Sequence, residues 1–568
     1  MSELAIEPEP QTQHLAGSQL LIKLLERQGV THIAGIPGGA NLPMYDALTS
    51  SSIKHVLARH EQGAGFIAQG MARASGEAQV CFASSGPGAS NLITAVADAK
   101  MDSVPLIAIT GQVPQAMIGT DAFQEIDTFG LMLPITKHNW MVRSAEELLE
   151  VIPRAFEIAL SGRPGPVSVD IPKDVQNQMI EVDNLPSPGV RQANPTVETQ
   201  QVETMLSKIG QAQRPILMVG GGIVYANATQ ALIEFAEKLD VPAVQTFMGL
   251  GVLPSDHPLS LGMLGMHGAR YTNLILEECD LVVGLGVRFD DRATGKVAEF
   301  CPKADIIHVD IDHSEIDKIM PSVLSIRADV GDMLQSANAM LETNTRPVWR
   351  KRVEQLKQAY PLILDGEDDL FRPYGAIKTI ASLLDDTVNI TTDVGQHQMW
   401  VAQAYPINRP RQWASSGGLG TMGFGLPAAI GMALEQPERK VICFSGDGSL
   451  MMNLQELATA AEQDLDLKVI VLNNRHLGLV RQQQALFYDN NLSAVKFHPD
   501  VDFALVARAL GMQGVDLGLV DEPFEALKAA LLQRGPCVIN LPICETEMVY
   551  PMVAPGGANR DMICGECA

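Results

Sequence analysis

Apolar residues in this chain come in short unbroken runs that end in glycine or in a polar pair. QVCFASSGPG (79–88), KVICFSGDG (440–448) and LKVIVLNN (467–474) have this form, as do RPILMVGGG (214–222), DLVVGLGV (280–287) and ADIIHVDID (304–312). Runs of this length between turn signals read as strands buried on both faces, as in a parallel sheet. A glycine turn with helical spacing behind it reads as a strand-to-helix connection, so the pattern predicts an α/β protein.

The pattern also repeats. Gly70-Met71-Ala72 leads through a polar stretch into QVCFASSGPGASNLITAVADAK, and Gly431-Met432-Ala433 leads into KVICFSGDGSLMMNLQELATAAEQ. Both read strand, glycine turn, helix, and both are followed by another apolar run, PLIAIT and LKVIVLNN. Matched order, spacing and composition predict two related doubly wound domains with a third α/β unit between them. Boundaries are expected at 1–185, 195–345 and 365–550, with 551–568 as a tail, and the Pro-rich PSPGVRQANPTVETQQ as the first linker. The middle unit ends strands in Gly220-Gly221-Gly222 and in Asp310, as nucleotide-binding domains do, but VGGGIVYAN lacks the spacing of an NAD fingerprint.

Length and charge narrow the function. At 568 residues several domains are expected. A net charge of −25 disfavours nucleic acid and anionic membranes, and a phosphate-bearing cofactor would need a metal beside it. No stretch approaches the roughly 18–20 apolar residues of a membrane span. The acidic, polar start MSELAIEPEPQTQHLAGSQ lacks the blocks of a signal or transit peptide, which leads us to expect a cytoplasmic protein. The 8 cysteines sit mostly inside apolar runs and are expected to be reduced, with Cys564 and Cys567 of the terminal CGEC in a frayed tail.

Chemistry concentrates at Gly446-Asp447-Gly448, a strand end and helix start, with Asn473-Asn474 ending the next run. Glycines let the backbone approach a diphosphate, the helix start supplies N–H donors, and Asp447 offers a hard oxygen to a divalent cation. Asn474 adds a carbonyl oxygen, and His476 sits where a backbone carbonyl ligand is expected, giving Asp447, Asn474 and His476 as the candidate Mg²⁺ set. A GDG turn alone favours a tight turn with a capping Asp; the Asn pair ending the next run reverses that in favour of the metal. In the first repeat the turn is Gly86-Pro87-Gly88, and Pro in place of the carboxylate excludes the same metal site.

GDG followed by NN resembles the thiamine-diphosphate enzymes. The resemblance implies three doubly wound parallel-sheet domains: a pyrimidine-binding first domain, a central domain, and a third that binds diphosphate and Mg²⁺. It assigns Glu61, in RHEQGAGFIAQGMAR and expected just ahead of a helix, as the acid that hydrogen-bonds to the aminopyrimidine and favours its imino tautomer. That tautomer would deprotonate the thiazolium C2, which adds to the carbonyl of a 2-keto acid and stabilises the carbanion left when CO₂ departs.

Along nearly its whole length the chain looks like the catalytic subunits of the acetohydroxyacid (acetolactate) synthase family. The likeness runs through GIPGGANLPMYDAL, SSGPGASNL, TGQVPQAMIGTDAFQE, SGRPGPVSVDIPKDV, GVRFDDR, GQHQMW and SGGLGTMGFGLPAAIG. It implies condensation of pyruvate with pyruvate or 2-ketobutyrate in branched-chain amino-acid synthesis, with a FAD that takes no net redox part. Thiamine-diphosphate residues implied in the first domain are Pro37, Gly38, Glu61, Gly86, Asn91 and Gln124. In the third they are Val394, Gly395, Gln396 and His397, then Gly420 and Met422, Gly446, Asp447, Gly448 and Ser449, and Asn474, His476, Gly478 and Leu479. Met422 would be the residue on which the cofactor bends.

For FAD the family implies Arg163; Gly220, Gly221 and Gly222; Thr246; Leu264, Gly265, Met266 and His267; Gly286, Arg288 and Asp290; and Asp310, Ile311 and Asp329. RFDDR alone would read as a surface charge cluster. Gln124 and Lys173 would line the catalytic channel and Arg292 would hold the acceptor carboxylate, although each residue type is also common on solvated surface. Gln483 replaces a Trp that many members use to favour 2-ketobutyrate. A methylene is worth about 1–3 kcal/mol in a pocket, so an isozyme I-like enzyme with little acceptor preference is expected. A homodimer or homotetramer and a small regulatory subunit are implied, with the glutamate and metal motif meeting across subunits. The alternatives are a pyruvate oxidase, a flavin-free catabolic acetolactate synthase, and a catalytically dead relative.

Overall fold

The computed structural model describes residues 12–565; residues 1–11 and 566–568, Cys567 among them, lie outside the described residues. The chain divides into two compact units, Met1–Gln192 and Ala193–Ala568.

In the first unit six parallel strands lie in the spatial order Lys54–Leu57, His32–Gly35, Gln79–Ala83, Leu106–Gln112, Val167–Pro172, His138–Met141. The three central runs, QVCFA, LIAITGQ and VSVDIP, are buried along their whole length, because helices cover both faces. One face packs Phe82, Ile109 and Val169 against Leu21, Leu25 and Ile152. Numbered in chain order, the strands run second, first, third, fourth, sixth, fifth. The chain therefore reverses direction across the sheet between His32–Gly35 and Gln79–Ala83, leaving a crevice at their carboxyl ends.

The second unit holds two six-stranded parallel sheets. The later one is ordered Trp413–Ala414, Asn389–Thr392, Val441–Gly446, Leu467–Asn473, Cys537–Pro542, Gln513–Asp516, the same permutation as in the first unit. The internal repeat expected from the sequence is thus a repeat of topology. The other sheet is ordered Ser260–Met263, Ala243–Gln245, Pro215–Val219, Leu281–Leu285, Asp305–Asp310, Leu324–Arg327, which is the dinucleotide-binding order. Three doubly wound sheets are present, as the apolar runs predict.

Two details differ from expectation. The central packing continues past 345: Trp349, on the helix Pro347–Ala359, donates from Nε1 to the Pro215 carbonyl (3.0 Å), and Val353 and Leu356 join the core around Ile216 and Met218. The tail is not frayed up to Gly565. Met552 and Val553 are buried, Met552 bridges Ile563, and the Val553 N–H donates to Met266 O at 2.9 Å. Apolar residues at 549, 552, 553 and 558 give it a face to bury, and Cys564 is half-buried with a free thiol.

Candidate active site

In the later sheet of the second unit the reversal falls between Asn389–Thr392 and Val441–Gly446. A cleft of about 170 Å³ opens there, and it gathers every residue that the resemblance assigns to thiamine diphosphate in this part of the chain, from Val394 to Leu479. Trp400, Leu472, Leu477 and Val480 also line it, apolar positions that no motif marked. Glycine lets its walls approach closely: an added Cβ would lie 3.0 Å from the His397 ring at both Gly395 and Gly446, and 2.0 Å from Gln396 Oε1 at Gly478, so each would push a side chain of the cleft aside.

Asp447 begins a short helix at the end of its strand and is buried. Its Oδ1 accepts the Gly448 N–H at 2.8 Å, while Oδ2 is buried with no hydrogen-bond partner. Burial pushes the carboxyl up to about 6, against the pull of neighbouring backbone N–H groups. A buried carboxylate oxygen left without a partner is costly unless a cation or proton meets it. Asn474 is also buried; its Oδ1 accepts the His476 N–H (3.0 Å) and its Nδ2 donates to Gln396 Oε1 (3.1 Å). His397 is fully enclosed and neutral, with burial pushing it down to about 3 and its Nε2 unpartnered. The donor set of carboxylate, carboxamide and backbone carbonyl is that of a hard divalent cation, so these residues fit Mg²⁺ with a diphosphate.

The first unit places a different constellation at the same topological point. Glu61 is the first residue of the helix Glu61–Ser75 rather than ahead of it, with His60 as the N-cap accepting the Gln62 N–H. Asn91 Nδ2 donates to Glu61 Oε2 at 2.9 Å, and Gly88 lies close to Glu61 Oε1. Gly86 has φ +60°, and an added Cβ would lie 2.8 Å from the Gln124 carbonyl, so Gln124, itself at φ +61°, is packed onto the turn. Gly38 faces Ser84, whose buried Oγ has no partner, and Pro37 beside it is exposed. No motif marks Ser84; a polar side chain ending a buried apolar run is the one signal the sequence offers for it. Lys173, half-buried, starts a helix directly after the strand Val167–Pro172.

The residues assigned to FAD in the second unit follow the carboxyl ends of all six strands of the central sheet, from Gly220 to Asp329. At its reversal point Gly222 packs against Gly286, where an added Cβ would lie 2.6 Å from the Gly286 Cα. An extended dinucleotide fits such a crevice, with Asp310 at the end of the neighbouring strand. Some of these side chains also have structural duties. Asp290 caps Asp291–Thr294, Asp329 caps Val330–Met340, and the His267 Nδ1–H donates to Pro551 O (3.0 Å). Arg288 pairs with Asp290 at 3.7 Å, and Arg292 is 65% exposed beside Asp291, so RFDDR keeps its surface character in part. Arg163 belongs to the first unit, where its Nε donates to Ser103 Oγ. Gln483 is half-buried on the helix Gly478–Phe487.

Three family models match the chain: the thiamine pyrophosphate enzyme N-terminal binding domain at 15–131, the central domain at 202–337 and the C-terminal binding domain at 393–541. The chain is 53% identical over 552 residues to the acetolactate synthase isozyme 1 large subunit of Escherichia coli K12, covering 97% of this chain and 98% of that protein. It is 44% identical to the isozyme 2 large subunit of the same organism (96% and 99% covered), and 44% identical to the chloroplastic acetolactate synthase of Arabidopsis thaliana (96% and 84%). No helix among the described residues is long and apolar enough to cross a membrane.

Proposed function

Since the chain belongs to the thiamine-diphosphate enzymes, and within them to the acetolactate synthase large subunits, we propose that it joins two 2-keto acids with loss of CO₂. It is a thiamine-diphosphate-dependent carboligase serving branched-chain amino-acid synthesis. The substrates are pyruvate with pyruvate or 2-ketobutyrate. When bound, thiamine diphosphate supplies the ring that stabilises the carbanion left by decarboxylation.

The rest falls to the chain's own residues. Asp447, Asn474 and the backbone carbonyl of His476 hold Mg²⁺ against the diphosphate; the partnerless Asp447 Oδ2 is the observation that carries this reading. Glu61 is held through Oε2 by Asn91, which leaves Oε1 to exchange a proton with the aminopyrimidine. Met422 and Leu479 give the cleft apolar walls that exclude water. Gln124 and Lys173 line the approach, Arg292 binds the acceptor carboxylate, and Gln483 leaves acceptor choice weak. The central sheet holds FAD, supported by its strand order. A homodimer or homotetramer with a small regulatory subunit is the proposed assembly, in keeping with the large-subunit relatives. All described cysteines are free, which supports a cytoplasmic location.

Incubation with pyruvate, Mg²⁺ and thiamine diphosphate, with and without FAD, should yield 2-acetolactate. Acetate or acetyl phosphate with reduction of the flavin, or no turnover, would refute the proposal.

A further inference from the structure

Gln482 is a fully buried polar residue on the helix Gly478–Phe487, outside the cleft wall, and no motif gives it a task. Its amide is fixed from both ends by one backbone residue. The Val549 N–H donates to Gln482 Oε1 (2.8 Å), and Gln482 Nε2 donates to the Val549 carbonyl (2.9 Å). A backbone N–H only donates and a carbonyl only accepts, so the orientation of this amide is not a matter of choice.

The same logic passes inward. Gln482 Oε1 also accepts from Gln396 Nε2 (3.0 Å), and that Nε2 donates as well to the Glu547 carbonyl (2.8 Å). Gln396 Oε1 is thereby turned to Asn474, where it accepts from Nδ2 (3.1 Å). The His476 N–H then meets Asn474 Oδ1 (3.0 Å), so oxygen rather than nitrogen is the atom left with a free lone pair. The Val549 backbone, Gln482 and Gln396, acting in series, thus decide which end of the Asn474 amide is offered to a ligand.

We propose that Gln482 is a positioning residue for the metal site: acting through Gln396, it holds the Asn474 carboxamide with its oxygen toward the cation. The inference rests on reading the cleft as the Mg²⁺–diphosphate site. Residues that orient metal ligands typically change metal affinity 10–100-fold when removed, whereas a glutamine that only fills the core leaves that affinity alone.

The test is titration of the full-length apo-protein with Mg²⁺ at fixed thiamine diphosphate, read by quenching of tryptophan fluorescence, since Trp400 lines the cleft. Gln482→Leu should weaken apparent Mg²⁺ affinity about 10–100-fold. Gln396→Leu, which keeps the Gln482–Val549 pairing, should do the same, and the double variant should be no worse than Gln396→Leu alone. Gln482→Glu retains the acceptor for Gln396 and should recover part of the loss; it also serves if the leucine variant misfolds. Unchanged Mg²⁺ affinity in Gln482→Leu or Gln482→Glu equal to it, or additive losses in the double variant, would overturn the proposal. No Mg²⁺-dependent quench in the wild-type protein would overturn the site reading itself, and the proposal with it.

Discussion

The first sheet and the last sheet of this protein share one strand permutation and one reversal point, yet carry different residues there. At Gly86-Pro87-Gly88 the turn has no ligand, and the carboxylate, Glu61, stands at the start of the preceding helix, held by Asn91. At Gly446-Asp447-Gly448 the carboxylate is in the turn, and the preceding helix, Gly425–Glu435, begins without one. Topology fixes where a ligand can sit; in the proposed function, the position of a single carboxylate divides proton transfer from metal binding.

The largest expected effect follows from removing the metal carboxylate. Asp447→Ala should abolish Mg²⁺-dependent thiamine diphosphate binding, with calorimetric affinity falling by at least about 100-fold. The reverse exchange, Pro87→Asp, should create no second cation site. The strand that follows Gly86-Pro87-Gly88 ends in Gln112 rather than an Asn pair, and that amide is tied at both ends: Oε1 accepts the Val113 N–H (2.9 Å), and Nε2 donates to Asp170 and the Ile126 carbonyl. A Mg²⁺ isotherm with an added site in Pro87→Asp would break the comparison.

Glu61→Gln should slow hydrogen–deuterium exchange at the C2 of bound cofactor by about 10²–10⁴-fold, the usual worth of a general acid–base group, with cofactor affinity nearly unchanged. Exchange at the wild-type rate would remove Glu61 from the mechanism. Gln483→Trp should raise preference for 2-ketobutyrate over pyruvate by about tenfold in competition assays, within what one methylene can supply.

The smallest effect is on stability. Asp170, fully enclosed beside Thr110 and Gln112, is pushed up to about 7, chiefly by burial. An unfolded aspartate titrates near its ordinary value of 3.8. The folded state therefore binds the proton more tightly, and this stabilising contribution, complete below the ordinary value, is lost as pH rises through about 7. Thermal unfolding of Asp170→Asn against wild type should show the variant gaining in relative stability from pH 4 to 8; a constant difference would contradict this.

What the sequence makes legible here is what parallel sheets write in long apolar runs. The repeat, the three sheets and the Asp447–Asn474 pair all stand at ends of such runs, where a glycine or polar residue interrupts an otherwise buried strand. Gln482 leaves no such trace, because a buried glutamine on a helix looks like a surface one until its partners at 547–549 are folded over it. The tail, packed rather than frayed, leaves little trace for a similar reason: four apolar positions without helical or strand period signal burial only once Met266 and Ala293 are seen to receive them. Glu61 took its meaning from family likeness, since one glutamate before a helix has no distinguishing pattern.

The most direct test is an anomalous-scattering map from crystals grown with thiamine diphosphate and Mn²⁺ in place of Mg²⁺. The expected result is one peak about 2.1–2.2 Å from a carboxylate oxygen of Asp447 and from Asn474 Oδ1, with none at Gly86-Pro87-Gly88. A cation bound elsewhere in the presence of the cofactor, or held at the first turn, would contradict the division of labour between the two sheets.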